Sequence, residues 1–453
     1  MINTVLLLSA LFVSVYGGEN ALPYLSSKEQ CTELLGGTDV SVIFTADPGL
    51  QYGGIGENYF ILQSLQNAKN VTFPACFSAV RGDLFSSKVV LVTTGEGPST
   101  AQLCVFEVLT CSEYIKETMF FGTAGFSPRK GGILNPPSDC TPPVEEGDLV
   151  RYGDICITNH AINWDCQGAE WSDTAANWPN ECSLAGSPDA PFQDALQDAS
   201  SASYRGWDCF VNDPDQKSLD LADEMYAAQN YTNKVAPPPE GVQEYLGWYW
   251  GNVTQGINRT WTIDTAAAPR VFGRNECAEV DSVYWWTGTP WDTQARGFVS
   301  NAVGGAPNTT ETVAATAMEG IGFMAALRMA QNITGIAIPY VILRATSDFS
   351  IPNPVYQATN GTWLSGQSIS LPPSLAATGD GGGAPVTMYA IESGNSLILG
   401  LFENRLKSSS STMTGEVDSS ADASQDTASS SAGVTKVLML NLYSIVTLYH
   451  IMF

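Results

Sequence analysis

The sequence predicts an α/β fold in which a β-sheet is covered by helices on both faces. Three observations carry this. Several short runs are continuously apolar and β-branched, without the polar alternation of a half-exposed strand. Most are closed by glycine-, proline- or aspartate-containing turns. Stretches of helical composition lie between them. With 453 residues, 44% of them apolar, the chain has ample material for a large core.

Taken in order, Asp39–Thr45 (D-V-S-V-I-F-T) is the first strand and ends near Asp47-Pro48. Lys88–Thr94 (K-V-V-L-V-T-T) is a buried strand closed by Gly95-Glu96-Gly97-Pro98. Ser99–Leu109 then has helical spacing, with Pro98 or Ser99 placed to start the helix. Thr118–Thr123 is a strand ending in Ala124-Gly125-Phe126, and Gly153–Thr158 is another. Residues 159–270 are rich in Trp, Asn, Asp, Pro and Gly and read as a long insertion on the same domain. Glu311–Arg328 is helical in composition, and Ile338–Leu343 is a fifth strand running into Arg344-Ala345-Thr346-Ser347-Asp348.

Two acids stand out. Glu319 is the only charge between the ends of the apolar 311–328 run. A buried carboxylate needs partners or a cavity edge, although a Glu on the solvated stripe of an amphipathic helix would look the same. Gly320 and Gly322 weaken a helix there, which suggests a close approach to the backbone. Asp348 follows an apolar strand, and ligand sites in open α/β sheets lie at the carboxyl ends of strands. A Ser347-Asp348 helix cap would fit the same residues. Arg344 could simply pair with a carboxylate. Thr94 and Gly95 end their strand in the same way and belong on the same sheet edge.

Charge and composition exclude other chemistry. Twenty basic residues against 46 acidic ones give a net charge of −26, a surface that repels nucleic acid. The histidines are His160 and His450 alone, and no G-x-S-x-G accompanies them, which argues against a Ser-His-Asp triad. Histidine-rich zinc sites are excluded, no C-x-x-C occurs, and no metal is expected. Gly95-Glu96-Gly97 is neither a P-loop nor a dinucleotide fingerprint. Catalysis would rest on carboxylates, arginine, hydroxyls and backbone amides, with no cofactor.

The ends and cysteines indicate an extracellular, cell-surface setting. Residues 1–17 read as a signal peptide, 18–405 as the folded domain, and 406–436 as a Ser/Thr-rich linker. Residues 437–453 form an apolar tail that reads as a GPI-attachment signal, with a transmembrane helix as the other reading. Sequons occur at Asn70, Asn230, Asn252, Asn258, Asn308, Asn332 and Asn360. Ten cysteines suit an oxidising compartment. Cys140, Cys166, Cys182 and Cys209 are expected in bridges, whereas Cys104 and Cys156 fit plain core thiols.

These segments together resemble the nucleoside phosphorylase/nucleosidase superfamily. Val89–Gly97 is similar to its strand and (S/T)-G-x-G loop, Phe121–Gly125 to its G-(T/S)-A-G turn, and Gly153-Asp154-Ile155 to its G-D-(I/V) strand start. Met318-Glu319-Gly320 is similar to M-E-(G/A/S), and Arg344–Asp348 to R-A-x-S-D. Asn163-Trp164-Asp165 resembles the plant bark-storage branch. The resemblance implies a three-layer phosphorylase/hydrolase-like fold with a central mixed β-sheet. It also implies cleavage of the N-glycosidic bond of a purine nucleoside for salvage, with phosphate as a co-substrate if the reaction is phosphorolysis. A homo-oligomer is the family habit. Glu319 would bind the ribose hydroxyls, Met318 pack on the sugar, Asp348 protonate the leaving purine, Thr94 touch the nucleophile and Trp291 stack on the base. One departure stands out: the family's nucleophile-activating Glu, or phosphate-binding Arg, is missing from Thr45–Gln51. Asp47, Glu57 and Glu96 are the available substitutes. A non-catalytic storage or nucleoside-binding protein is the alternative function.

Overall fold

The computed structural model describes residues 27–49, 55–127, 149–163, 214–244, 246–247, 264–281, 295, 299, 312–349, 355–357, 362–364 and 383–413. The chain divides into two compact units, Met1–Ser408 and Ser409–Phe453. Of the second, only the helical residues 409–413 are described.

Four parallel strands form the middle of one mixed sheet. β1 (Val40–Thr45) lies between β4 (Ser87–Thr93) and β5 (Ile115–Phe126), and β11 (Tyr340–Phe349) pairs with the other side of β5. The hairpin β2 (Gln66–Val71) and β3 (Ser78–Leu84) adds antiparallel strands outside β4. β6 (Ile155–Thr158) runs antiparallel to β11, and β8 (Val271–Phe272) continues beyond it. β10 (Val313–Ala317) meets the last residues of β5 antiparallel. It leads to β9 (Cys277–Asp281) and β7 (Ala161–Asn163). β5 is therefore a branch point, flanked by β1 along its first half and by β10 at its end.

Strand pleating sends alternate residues into two cores. Val42 and Phe44 of β1, Val90 and Val92 of β4, and Ile342 of β11 face one cluster. Buried residues of α1 (Lys28–Leu35), α3 (Pro98–Leu109) and α5 (Gly320–Thr334) complete it. Ile43, Val89, Leu91, Val341 and Leu343 face the other cluster. It is covered by α2 (Tyr59–Ser64), α4 (Gln216–Ala227) and the C-terminal helix α6 (Gly383–Met413). This is the three-layer arrangement expected. β12 (Val355–Gln357) and β13 (Thr362–Leu364) form a separate two-stranded ribbon.

Several elements differ from the sequence expectation. Glu311–Arg328 is not one helix. Its V-A-A-T-A segment is strand β10, buried on both faces, and the helix starts only at Gly320. Small and β-branched residues with no polar face suit a fully covered strand, and periodicity alone does not separate that from a buried helix. Ala124-Gly125-Phe126 and Arg344–Asp348 continue β5 and β11 instead of ending them. Within the 159–270 segment, α4 buries Leu221, Ala222 and Met225 in the second core.

Three disulfides occur among the described residues. Cys31–Cys111 ties α1 to the segment after α3, Cys76–Cys104 ties the hairpin to α3, and Cys156–Cys277 joins β6 to β9. Cys104 and Cys156 are thus bridged and not core thiols: partners distant in sequence are brought beside them by the fold. Cys140, Cys166, Cys182 and Cys209 lie outside the described residues, as do residues 1–17 and the 437–453 tail. No described helix is long and apolar enough to cross a membrane.

Two contacts yield stability predictions. The close approach inferred at Gly322 is real, because a Cβ there would collide with the Pro98 carbonyl at the head of α3. Gly322→Ala should cost about 3 kcal/mol, read as a lower urea midpoint. At the opposite sheet edge Glu117 accepts a hydrogen bond from Arg405 at 3.0 Å and from the Ser41 hydroxyl at 2.6 Å. Burial works to raise the Glu117 carboxyl, but the Arg405 hydrogen bonds and charge outweigh it and hold the group below its ordinary value. The linked stability is present above the ordinary glutamate range and is lost as pH falls through the depressed folded value. Glu117→Gln should therefore flatten part of the acid-side loss of melting temperature.

Candidate active site

The carboxyl ends of β1, β4, β5 and β11 converge with the N-termini of α3 and α5. Glu319 sits at the N-cap position of α5, directly after β10, and is 5% exposed. One carboxyl oxygen accepts the Gly97 N–H at 3.0 Å, and the other accepts Arg344 Nη2 at 3.3 Å. Gly97 has φ 91° and is the residue before α3, so the Glu319 carboxylate lies at the positive end of that helix. Met318 shares the β10–α5 turn and is half-buried.

Arg344 is fully buried on β11. Its Nε and Nη2 clasp Glu279 of β9 at 2.8 and 2.6 Å, and the guanidinium stands 5.1 Å from the Phe120 ring centre. Nη1 has no hydrogen-bond partner among the described residues. Burial alone would lower the Arg344 pKa, but Glu279 and Glu319 raise it, so the charge persists. Gly122 of β5 makes room here. A Cβ at that position would overlap Nη1 and lie 3.2 Å from Glu57 Oε1.

Glu57 brings a buried carboxylate to the first-strand loop. It lies just before α2, 4% exposed, with Oε2 accepting the Ala46 and Asp47 N–H groups at 2.9 and 3.1 Å. Oε1 accepts the Thr123 N–H at 2.6 Å. Burial drives its pKa up to about 7, against the lowering pull of Arg344. Asn395 of α6 holds the segment by donating to the Glu57 carbonyl at 2.9 Å. The Asp47 carboxylate accepts the Gly49 N–H at 2.6 Å and closes a local turn.

Asp348 sits near the end of β11. Thr346 pairs with Ala124 and Asp348 with Gly125, so Ser347 is an extra residue that bulges the strand and re-aims Asp348. The Ser347 hydroxyl donates to Asp348 Oδ1 at 2.7 Å. Burial nevertheless pushes the Asp348 carboxyl up to about 6. Ser347 and Asp348 lie inside β11, which continues to Phe349, so the capping alternative does not apply to them. Gly153 and Asp154 fix this stretch from β6: the Gly153 N–H donates to the Thr346 carbonyl, and Thr346 N–H donates to the Asp154 carbonyl, both at 2.9 Å. The Thr94 hydroxyl is turned onto the Thr45 and Gly95 carbonyls, and Gly95 adopts φ 88°. Trp291 lies outside the described residues.

Sequence reading did not single out Glu279, Asp281 or the space at Gly122. The available signal was two acids at i, i+2 inside the short apolar run C-A-E-V-D. Asp281 accepts the Ile321 N–H at 2.6 Å, and burial with the charge of Glu279 raises its pKa well above the ordinary value.

No protein-family model and no curated protein matches the chain. Solved structures do. A 5′-methylthioadenosine/S-adenosylhomocysteine nucleosidase from Streptococcus pneumoniae is 13% identical, covers 80% of this chain and 98% of its own, and gives a TM-score of 0.38. The corresponding Neisseria meningitidis enzyme is 12% identical, with coverage of 81% and 99% and a TM-score of 0.39. Futalosine hydrolase of Helicobacter pylori is 9% identical, with coverage of 81% and 98% and a TM-score of 0.38.

Proposed function

We propose that the protein hydrolyses the N-glycosidic bond of purine nucleosides. One observation carries this reading. Glu57, held near neutrality, faces Arg344 across Gly122 beside Glu319, on the sheet edge that also carries Asp348. A sheet edge with a base, a sugar-binding carboxylate and an acid suits displacement at an anomeric carbon.

In this mechanism Glu57 takes a proton from water, and the water oxygen bonds to C1′. The C1′–N9 bond breaks, its electron pair passes into the purine, and Asp348 delivers a proton to N7. Glu319 binds the 2′- and 3′-hydroxyls and steadies the oxocarbenium-like sugar, while Arg344 Nη1 orients the water. Ser347 holds Asp348, Met318 borders the sugar, and Thr94 and Gly95 shape the loop that presents Gly97 to Glu319.

We place the enzyme outside the cell, glycosylated and lipid-anchored. The sequons that fall among described residues, Asn70, Asn230 and Asn332, are all exposed, which supports glycan addition. The buried disulfides suit an oxidising compartment.

The test offers the full chain inosine, adenosine and methylthioadenosine with and without phosphate. Release of free base without phosphate is expected. Release only with phosphate would replace hydrolysis by phosphorolysis. Nucleoside binding without any release would leave the binding-protein alternative.

A further inference from the structure

β9 carries two fully buried acids, Glu279 and Asp281, spaced so that both side chains point to one face. They do two things at once. Each accepts an N–H from the first turn of α5, Gly320 to Glu279 at 3.0 Å and Ile321 to Asp281 at 2.6 Å. The helix start that carries Glu319 is thereby seated on β9. Glu279 also clasps the Nε/Nη2 edge of Arg344. The Cys156–Cys277 disulfide reinforces the arrangement, since Cys156 is the register partner of Arg344 and Cys277 precedes Glu279 by two residues.

The charge balance requires this. Glu57, Glu279, Asp281 and Glu319 surround Arg344, and four buried carboxylates cannot all ionise beside a single cation. Burial opposes ionisation of Glu279, but the Arg344 charge and hydrogen bonds overcome it, whereas burial and the Glu279 charge push the Asp281 carboxyl well above its ordinary value, and its Oδ1 accepts no hydrogen bond among the described residues. The guanidinium charge is thus taken up on the side away from Glu57. Glu57 itself faces Arg344 from β11, Glu319 from the head of α5, the Asp47 N–H from the loop after β1 and the neutral Asn395 from α6.

We propose that Glu279 and Asp281 form one positioning device: Glu279 turns and neutralises Arg344 so that Nη1 faces Glu57, and Asp281 locks Glu279 through a carboxyl–carboxylate hydrogen bond. Neither touches substrate. The role rests on the nucleosidase reading only in taking Glu57 as the base.

The experiment titrates the full chain by ¹³C NMR with labelled glutamate carboxyls, Glu57 being assigned from the Glu57→Gln variant, alongside turnover of a purine nucleoside. In Glu279→Gln the Arg344 charge is no longer compensated, so the Glu57 midpoint should fall by about one pH unit or more. Turnover should fall on the order of 100-fold through misplacement of Arg344 and Glu319. An unchanged Glu57 midpoint overturns the proposal. If the Glu57 midpoint falls in Glu279→Gln as expected but the wild-type chain releases no base, the nucleosidase reading is overturned and the device stands. If Glu279→Gln fails to fold, Asp281 decides. Asp281→Ala should shift the Glu57 midpoint in the same direction, and Asp281→Asn, which still donates to Glu279, should restore it. Identical titrations for wild type and Asp281→Ala overturn the lock.

Discussion

Glu57→Gln should abolish hydrolysis, lowering kcat/KM by about 100- to 10,000-fold, the usual worth of a positioned general base. The substituted amide would keep the size of the side chain and could still accept N–H bonds from the first-strand loop, so the fold should survive. The pH profile carries the finer test. In the wild type, competence needs Glu57 ionised, favoured above about 7, and Asp348 protonated, favoured below about 6. Their product is a bell with its maximum between the two values, populated by a minority protonation state. Removing Glu57 removes the rise on the acid side. Residual activity should then be flat at low pH and decline above about pH 6. A Glu57→Gln enzyme that keeps the full bell would show that another group activates the water.

Asp348→Asn should be equally severe. Asn cannot pass a proton to N7, so turnover should drop by about 100- to 10,000-fold while nucleoside affinity stays close to wild type. The Ser347 hydroxyl can still donate to the Asn carbonyl oxygen, which keeps the bulge in place. The remaining activity should lose the decline on the alkaline side and level off above about pH 7, where Glu57 is ionised. A substrate whose leaving base is already protonated or strongly electron-poor should lose far less. Full activity in Asp348→Asn would remove it from the acid role. Affinity measured by calorimetry separates this from collapse of the site, since Glu319 and Arg344 are untouched by the change.

Residues close in sequence were legible because their signals are local. The β-branched runs of β1 and β4 are buried on both faces, so apolar continuity alone marks them. Pro98 after Gly97 marks the start of α3. Glu319 and Asp348 were legible as acids in apolar surroundings, where an ionised group needs a reason. The Gly320-x-Gly322 pair correctly announced close approaches, now identified as the Glu279 carboxylate and the Pro98 carbonyl.

What the sequence by itself could not determine was which distant groups meet. Glu57 reaches the end of β1 because α2 is held by Asn395, 338 residues further along the chain. Glu279 finds Arg344 across 65 residues, and the bridged Cys156 and Cys277 are 121 apart. The β10–α5 boundary was misread because a strand covered on both faces and a buried helix share one apolar pattern. Tertiary structure decided all of these for the same physical reason. The energy of a buried charge depends on its neighbours in space, and adjacency in the chain does not specify those neighbours.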